Sequence, residues 1–423
     1  MPTSKIWALE AKMATQTGYK TSELGIIPQD WDVVELEKVC DIDTENLTSN
    51  TDADYEFDYI SLEQIDNGHL LNTEKYKFKD APSRARRVVR KNDVLISTVR
   101  PNLMSHYYVK NEVRDLICST GFSVVRGTNK LNMPYLYHHL FANIINSQIN
   151  LVVVGSNYPA INSHDIKNLK IPLPSTPEQT AIATALSDTD TLISSLQTLI
   201  AKKQAIKLSA MQNLLSGKIR LPEFAQRPDG LPKIMRQTEL GCVPEDWEVV
   251  ELGSVAFIKT GSKNNQDKKE NGQYPFFVRS ANVEQIDSYS YDCEAILIPG
   301  EGNIGSIFHY INGKFDAHQR VYVIRDFKNV IGKFVFFALK QSFGKHAMEN
   351  TVKATVDSLR LPTFQNFKFA IPKSTTEQTA IAQLLSDMDA EIEALECRLK
   401  KTQSLKQGMM QALLTGKIRL PLE

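Results

Sequence analysis

Residues 178–222 decide the fold, and they read EQTAIATALSDTDTLISSLQTLIAKKQAIKLSAMQNLLSGKIRLP. Residues 377–421 repeat this block 199 positions later, with 25 of 45 residues identical. A second repeat relates residues 22–39, SELGIIPQDWDVVELEKV, to residues 238–255, TELGCVPEDWEVVELGSV, with 11 of 18 identical at an offset of 216. Self-similarity at two places indicates a frame that the chain uses twice.

The segments between the repeated blocks have diverged. They cover roughly residues 40–170 in the first half and 256–370 in the second, and they align only at their closing elements, KIPLP (170–174) and FAIPK (369–373). The order is therefore frame, insert, frame, insert, frame. Two unlike inserts in one duplicated frame indicate two readers of different ligands.

Each repeated block that follows an insert predicts one long helix. Residues 176–179, Thr-Pro-Glu-Gln, offer an N-cap hydroxyl, a proline at the first helical position and a capping-box glutamine. Residues 375–378 offer the same box without the proline. Gly217 and Gly416 provide the left-handed residues that end a helix.

A spacing that alternates between four and three residues predicts a coiled-coil-like seam on both helices. The seam comprises Ile182, Leu186, Thr189, Ile193, Leu196 and Ile200 in the first helix and Ile381, Leu385, Met388, Ile392, Leu395 and Leu399 in the second. Lys203, Lys207 and Lys406 enter the seam further along, so its apolar part covers about the first half of each helix. The periodicity equally fits ordinary amphipathic helices on a domain core.

Length favours a pair of helices. The 39 residues from Pro177 to Leu215 would extend roughly 58 Å at about 1.5 Å per residue, which is more than a small domain covers. An antiparallel pair would bury both seams and place the two inserts at opposite ends. Because a helical turn of B-DNA is about 34–36 Å, such a pair is long enough to set the distance between two groove contacts.

The inserts are rich in predicted strands. Residues 88–102 and 119–127 carry β-branched and aromatic residues between turn formers, and a helix is predicted at 132–148. Residues 294–325 read as a strand, a glycine loop, a hairpin and a strand, and a helix is predicted at 329–343. The fold class is therefore α+β: two small α+β domains separated by two long antiparallel coiled-coil helices, with a pseudo-twofold internal repeat.

Composition and charge exclude several classes of protein. With 49 basic and 49 acidic side chains the chain has no basic surface as a whole, so any DNA affinity must come from local patches. Five scattered cysteines without a C-x-x-C pair argue against a disulfide framework and a zinc knuckle. The sequence contains no signal-peptide pattern and no apolar run long enough for a membrane span, which predicts a cytoplasmic protein without membrane contact.

At these segments the chain resembles the specificity subunits of type I restriction-modification systems. The matching elements are the twice-used LG-x-x-P-x-DW motif, the paired EQTAIA…LL[ST]GKIRLP helices, DVLISTVRPN (93–102), AILIPGEGNIG (295–305) and GSNYPAINSHDIKNLKIPLP (155–174). The resemblance covers the chain from about residue 18 to the end. Its specificity comes from the order and duplication of these elements, since no single one is specific.

The resemblance implies a division of labour along the chain. Each insert would be a target-recognition domain for one half of a split, asymmetric sequence in double-stranded DNA, and the helices would set the spacing. The implied segments are an N-terminal segment (1–21), a first target-recognition domain (22–170), a first long spacer helix (171–221), a linker (222–237), a second target-recognition domain (238–370) and a second long spacer helix (371–423).

The resemblance also implies partners. Two adenine methyltransferase subunits would dock on the helices and the frame, and translocating endonuclease subunits would complete the complex. This chain would be non-catalytic and hold no cofactor, with S-adenosylmethionine, ATP and Mg on the partner subunits.

Candidate DNA-contacting residues lie in both inserts. Those of the first are Arg84, Arg86, Arg87, Arg90, Lys91, Thr98, Arg100, Asn102, Ser156, Asn157 and Tyr158, and those of the second are Lys263, Asn303, His318, Gln319 and Arg320. The five cations within residues 84–91 suit phosphates, whose neutralisation releases counterions. Arg100 and Asn102 follow a strand end and suit guanine and adenine edges. A solvated face and plain strand-end turns explain the same residues without DNA.

Other chemistry finds little support in the sequence. An adenine methyltransferase loop N-P-P-[FY] and a phosphate-binding G-x-x-x-x-G-K-[ST] loop are absent. Adjacent His138 and His139 lack the spacing of metal ligands on a helix, and Trp31 and Trp247 are expected to be core anchors. The alternatives that remain are a two-headed protein scaffold, which predicts no DNA binding, and a stand-alone enzyme, which predicts turnover by the purified chain.

Overall fold

The computed structural model describes residues 18–154, 159–227, 229–351 and 358–421, and the chain divides into two units. Unit 1 comprises the described residues up to Gln197 and those from Arg398 onward, and unit 2 comprises those from Thr198 to Cys397. Both boundaries fall inside the predicted long helices. Each unit therefore contains one insert together with part of each helix.

Unit 1 combines short strands with helices of very different length. Its strands are β1 (Tyr19–Ser22), β2 (Gly25–Pro28), β3 (Asp32–Glu35), β4 (Cys40–Ile42), β5 (Glu56–Ile60), β6 (Ile65–Asp66), β7 (His69–Leu70), β8 (Glu74–Lys77), β9 (Ala85–Val89), β10 (Val94–Ser97), β11 (Tyr107–Tyr108), β12 (Leu116–Ser119), β13 (Phe122–Gly127) and β14 (Lys170–Leu173). Its helices are α1 (Met133–Leu140), α2 (Asn143–Val152), α3 (Ser163–Lys167) and the first part of α4 (Thr176–Leu214), with 3-10 turns at Leu36–Lys38, Leu62–Gln64, Phe78–Asp80 and Pro101–Leu103.

Unit 2 follows the same general order. Its helices are the end of α4 from Thr198, α5 (Pro222–Ala225), α6 (Leu252–Val255), α7 (Gly332–Glu349), α8 (Leu361–Gln365) and α9 (Thr375–Leu413) up to Cys397, with a 3-10 turn at Asn265–Asp267. Its strands are β15 (Met235–Thr238), β16 (Gly241–Pro244), β17 (Trp247–Glu251), β18 (Phe257–Thr260), β19 (Tyr274–Phe277), β20 (Glu284–Ile286), β21 (Tyr291–Pro299), β22 (His309–Ala317), β23 (Val321–Arg325) and β24 (Lys368–Pro372).

The first insert is built on two four-stranded sheets, in the orders β11-β10-β13-β4 and β8-β5-β12-β9. β5 and β12 pair in parallel, and the other neighbours in these sheets are antiparallel. All four residues of β10 are buried, because this strand is covered on both faces. The helix predicted at 132–148 is wrong as a single element, because the chain breaks between Leu140 and Asn143 to give α1 and α2.

The second insert is built on one six-stranded sheet in the order β18-β23-β21-β22-β19-β20. The hairpin predicted after the glycine loop is wrong. Asn312 and Gly313, a common turn pair, lie inside β22, which stays paired with β21 from Tyr291–Phe315 to Leu297–His309. The sheet neighbours of β22 hold this pair in extended backbone against its turn preference.

The frame closes each insert with a two-stranded sheet. β3 pairs with β14, from Asp32–Leu173 to Glu35–Lys170, and β17 pairs with β24, from Trp247–Pro372 to Glu251–Lys368. The closing elements noticed in the sequence are therefore the strands on which each insert returns to the frame. Trp31 and Trp247 are fully buried beside these sheets, which confirms them as core anchors.

The long helices run antiparallel within each unit. In unit 1, Thr189 Oγ1 lies 3.7 Å from Met409 Sδ, and Lys406 Nζ lies 2.5 Å from Asp190 Oδ1. From Thr189 to Asp190 the residue number rises along α4, while that of the partner falls from Met409 to Lys406 along α9. The two helices therefore run in opposite directions. In unit 2, Lys203 Nζ lies 2.6 Å from Glu391 Oε1.

The lysines that interrupt the predicted seam take acidic partners on the facing helix. Lys207 binds Asp389 in unit 2, and Lys406 binds Asp190 in unit 1. These two pairs are equivalent under the offset of 199. A partly buried ion pair at matching positions fixes the register of the two helices in each unit.

Both helices end as predicted and begin differently. Gly217 and Gly416 adopt left-handed backbone with φ of +69° and +68°, which ends each helix. The capping boxes predicted at Thr176 and Thr375 are wrong, because Gln179 and Gln378 bond to backbone outside their own helices. Gln179 is buried, and its side chain accepts from the Asn132 amide at 2.8 Å and donates to the Pro174 carbonyl at 3.0 Å. This glutamine therefore ties the helix start to the insert.

Candidate DNA-binding interface

The loops at one edge of unit 1 are joined by backbone hydrogen bonds. Thr98 donates through its amide to the Gly121 carbonyl at 2.8 Å, and its own carbonyl accepts from the Ile161 amide at 2.9 Å. The Arg100 amide donates to the Pro159 carbonyl at 2.7 Å. The end of β10, the β12–β13 turn and the segment after residue 158 thus meet in one place. We call residues 98–103, 119–121 and 159–161 the recognition edge of unit 1.

Unit 2 repeats these connections. The Gly300 amide donates to the Arg320 carbonyl at 2.8 Å, and the Gly300 carbonyl accepts from the Leu359 amide at 2.8 Å. Glu301 pairs with Ser358 in an antiparallel bridge, as Val99 pairs with Ala160 in unit 1. We call residues 300–303, 317–320 and 358–359 the recognition edge of unit 2.

The five clustered cations of the first insert do not share one surface. Arg84 is exposed beside the recognition edge, where its carbonyl accepts from the Thr120 amide at 2.8 Å, and its side chain makes no ion pair with a described residue. Arg86 and Arg87 lie at the register shift in the pairing of β9 with β12, and their side chains take different partners. The Arg86 guanidinium lies 4.8 Å from the centre of the Phe78 ring.

Arg87 is tied into the domain. Its side chain is 15% exposed, and its Nη1 lies 2.5 Å from Asp43 Oδ1. Asp43 also accepts from the Ser123 hydroxyl and from the Val124 amide, both at 2.7 Å. This geometry favours a supporting role for Arg87.

The remaining cations of this run have acidic partners at the surface. Arg90 donates through Nε and Nη2 to Glu45 Oε2 at 3.0 and 2.7 Å, and Lys91 lies 2.6 Å from Glu112. Both side chains are largely exposed. Arg90 and Lys91 have further donors that can bind phosphates. They follow the end of β9, whereas the recognition edge lies at its start.

The strand-end residues lie at the recognition edge of unit 1 with unlike exposure. Thr98 is buried and its hydroxyl donates to the Gly121 carbonyl at 2.8 Å. Arg100, with left-handed backbone, and Asn102 are both exposed. Ser156, Asn157 and Tyr158 lie outside the described residues.

The structure brings Lys263, His318 and Gln319 of the second insert together, since Lys263 pairs with His318 in a parallel bridge. The Lys263 amide donates to the Ala317 carbonyl at 3.2 Å, and its carbonyl accepts from the Gln319 amide at 2.9 Å. Gln319 Nε2 donates to Asn264 Oδ1 at 2.6 Å. A Cβ on Gly261 would lie 2.1 Å from the Ala317 carbonyl oxygen, so only glycine permits this approach.

His318 supports the turn from inside. Its side chain is buried, and its Nδ1 accepts from the Arg320 amide at 3.0 Å, which assigns the neutral form with the proton on Nε2. Burial lowers the pKa of His318, and the positive charges of Arg279 and Arg320 lower it further. His318 therefore stays neutral at physiological pH.

The sequence analysis missed Arg279 and Glu301. Arg320 Nη1 lies 3.1 Å from Glu301 Oε1, and Arg279 Nη1 lies 3.4 Å from Glu301 Oε2. Glu301 lies in the glycine loop, close to the exposed candidate Asn303. The sequence therefore marked this loop but not Glu301 itself. Arg279 gave no signal, because it follows β19 at a place that no motif marks.

Two kinds of feature are absent from the described ranges. They contain no group of three or more His, Cys, Asp or Glu side chains arranged to hold a metal ion. None of their helices combines the length and the apolarity of a membrane span.

The family model for the type I restriction modification DNA specificity domain matches this chain twice, at residues 28–207 and 244–403. The chain belongs to this family. The resemblance found in the sequence is thereby confirmed: the chain is a type I restriction-modification specificity subunit with two DNA specificity domains.

Curated relatives carry the same designation. The EcoDI specificity subunit of Escherichia coli is 35% identical over 175 residues, which cover 41% of this chain and 38% of that relative. The putative MjaX specificity subunit of Methanocaldococcus jannaschii is 27% identical over 433 residues, which cover 96% of this chain and 97% of the relative. The second relative therefore spans both DNA specificity domains.

Solved structures share the fold. An HsdS subunit from Thermoanaerobacter tengcongensis matches 96% of this chain and 100% of its own with a TM-score of 0.50 and 22% identity. The S subunit of a type I restriction-modification system from M. genitalium matches 90% of this chain and 96% of its own with a TM-score of 0.62 and 16% identity. The predicted fold class, two α+β domains with two long helices, is confirmed.

Proposed function

We propose that the two recognition edges bind the two halves of one split, asymmetric sequence in double-stranded DNA. One observation carries this proposal: the same backbone connections recur at both edges, while the side chains that they present differ. Val99 and Arg100 stand in unit 1 where Glu301 and Gly302 stand in unit 2. A repeated scaffold with unlike side chains suits two readers of unlike bases, because base edges specify sequence and phosphates only position the protein.

The candidate residues divide by exposure into contacts and supports. The proposed contacts to bases or phosphates are Arg84, Arg86, Arg90, Lys91, Arg100 and Asn102 from unit 1 and Lys263, Asn303, Gln319 and Arg320 from unit 2. Arg87, Thr98 and His318 have side chains that are buried or nearly so, and they support the loops from which these contacts start. Ser156, Asn157 and Tyr158 remain candidates from the sequence alone.

The long helices have a second proposed role as spacer and docking surface. The ion pairs Lys207–Asp389 and Lys406–Asp190 support a fixed register, which a constant distance between half-sites requires. The duplicated frame suits two copies of one partner, and we assign it to two adenine methyltransferase subunits, with endonuclease subunits added to the complex. This chain is then a non-catalytic cytoplasmic component, and S-adenosylmethionine, ATP and Mg bind to its partner subunits.

Genome-wide mapping of methylated adenines tests the function. A host that carries the gene with its methyltransferase partner should methylate one bipartite, asymmetric motif that is unmodified in a host without the gene. A protein scaffold predicts no gene-dependent motif. Salt-sensitive binding of the assembled complex to a duplex with that motif is the matching test in solution.

A further inference from the structure

Two arginines converge on one carboxylate at the recognition edge of unit 2. Arg320 and Arg279 each bind a different oxygen of Glu301, at 3.1 and 3.4 Å. The side chains of Arg320 and Arg279 are 59% and 48% exposed, and that of Glu301 is 22% exposed. We call these three residues the Arg-Glu-Arg cluster.

The backbone beneath the cluster is fixed. β19 and β22 pair in parallel at Phe277–Ala317, so Arg279 and Arg320 leave neighbouring strands at the same end of the sheet. The His318 amide donates to the Phe277 carbonyl at 2.9 Å, and the Arg320 amide donates to His318 Nδ1. Glu301 follows Gly300, whose amide and carbonyl are both bonded. The guanidinium groups therefore start from positions that the sheet determines.

The chemistry of the cluster suits a base pair better than a phosphate. Each guanidinium has five N–H donors and gives only one to Glu301, so each keeps a fork of donors for a guanine O6 and N7. A phosphate would be repelled by the Glu301 carboxylate, whereas guanine acceptors are neutral. The carboxylate itself is the acceptor that a cytosine N4 amino group requires.

We propose that the Arg-Glu-Arg cluster reads a G·C base pair in the half-site bound by unit 2. This inference rests on the proposed DNA-binding function and adds a base class and three specificity residues to it. The arginine side chains are about half exposed, and ion pairs of such side chains contribute little stability individually. Two half-exposed arginines that share one partly buried carboxylate keep donors that a ligand can complete.

The described part of unit 1 has no such cluster at the equivalent place. Val99 occupies the position of Glu301, since both residues form the bridge to the returning segment. The inference is accordingly confined to one half-site, and unit 1 serves as an internal control.

The test uses the specificity subunit assembled with its methyltransferase partner. Once the target motif is mapped, Arg320→Ala should weaken binding to the target duplex about tenfold or more and relax the methylated motif at one G·C position of one half only. Arg325→Ala is the matched control, because Arg325 lies at the opposite end of β23 and pairs with Asp326 at 2.5 Å. It should leave the motif unchanged.

A modified duplex gives a second readout that does not depend on folding of a variant. Replacing the guanine at that position by 7-deazaguanine removes the N7 acceptor and should weaken binding by the wild type. It should not weaken binding further by the variant, R320A or R279A, that lacks the arginine in contact with this guanine. Additive losses with both variants would overturn the inference. So would a motif that neither variant relaxes, or one with no G·C pair in the affected half.

Glu301→Gln separates positioning from simple charge. This substitution removes a repulsive charge, so affinity for unrelated DNA should rise while the ratio of target to unrelated binding falls. An unchanged ratio would contradict the role of Glu301. A complex that binds no DNA at all would defeat the proposed function, whereas specific binding that is indifferent to R279A, R320A and E301Q defeats this inference alone.

Discussion

Arg419 binds Glu178 across 241 residues of sequence, with its Nε 2.8 Å from Oε1 and its Nη2 2.7 Å from Oε2 of the carboxylate. Arg419 lies two residues before the end of the second repeated block, and Glu178 begins the first. Arg220 and Glu377 form the equivalent pair in unit 2. Each frame is therefore completed by an arginine that belongs to the other repeat.

Loss of this arginine should loosen unit 1. Glu178 is 1% exposed, so Arg419→Ala leaves a buried carboxylate whose one remaining side-chain donor among the described residues is the Trp31 indole at 3.1 Å, and the expected cost is about 1–3 kcal/mol. Hydrogen exchange at β3 and β14 measures the effect locally. Arg398→Ala, on the exposed face of α9, is the control. Equal exchange in R419A and wild type would show that the pair does not hold the frame.

The ion pair between Lys406 and Asp190 should act on register rather than on net stability. Removing one partner, as in Lys406→Met, should destabilise unit 1, because the Asp190 carboxylate is 29% exposed and loses its cation. The double variant K406M/D190L should recover the stability, since apolar replacement of such a pair is often neutral or better. Urea unfolding of the wild type, K406M, D190L and the double variant gives the coupling energy between the two side chains. A double variant less stable than both single variants would contradict this expectation.

Unit 1 should lose stability in mild acid. Burial lowers the pKa of His106 from 6.5 to about 4 and that of His139 to about 3. The unfolded chain then binds protons near pH 6.5 while the folded chain stays neutral, so the stabilisation is complete above pH 6.5 and decreases as the pH falls toward about 4.

His139→Phe tests this pH dependence. Neither ring nitrogen of His139 has a hydrogen-bond partner in the described part of the chain, so the substitution removes a titrating group without breaking a hydrogen bond. The melting temperature of H139F should fall less than that of wild type between pH 7 and pH 5. Exposed His69→Ala is the control, and parallel curves for H139F and wild type would refute the assignment.

Arg84 and Arg87 should differ in the salt dependence of DNA binding. Arg84→Gln removes an exposed charge that has no ion-pair partner among the described residues, and it should reduce the slope of log affinity against log salt by about 0.9 if Arg84 neutralises one phosphate. Arg87→Gln should instead destabilise the insert, because Asp43 loses its cation. DNA binding measured between roughly 50 and 200 mM salt distinguishes R84Q from R87Q. An unchanged slope for R84Q would remove Arg84 from the phosphate contacts.

The frame could be predicted because its signals are local and occur twice. Gly217 and Gly416 mark helix ends by backbone preference alone, and the seam follows from periodicity. Gln179 was assigned wrongly because its partner, the Asn132 amide, lies 47 residues away. A local motif cannot reveal such a competitor.

The recognition edges could be predicted only in part. Arg100, His318 and Arg320 stand out by residue type beside strand ends, but Arg279 joins Glu301 through sheet pairing that no sequence pattern displays. The run at residues 84–91 looks uniform in sequence. Partners from other segments divide it, because Arg86 lies on the Phe78 ring while Arg87, Arg90 and Lys91 pair with Asp43, Glu45 and Glu112.

Exchange of one insert tests the central claim most directly. Residues 256–367 lie between β17 and β24, and they can be replaced by the equivalent insert of a relative whose target motif is known. If each insert recognises one half-site, methylation mapping of the host will show one half of the motif replaced, with the other half and the gap unchanged. A motif in which both halves change, or neither does, would contradict the account.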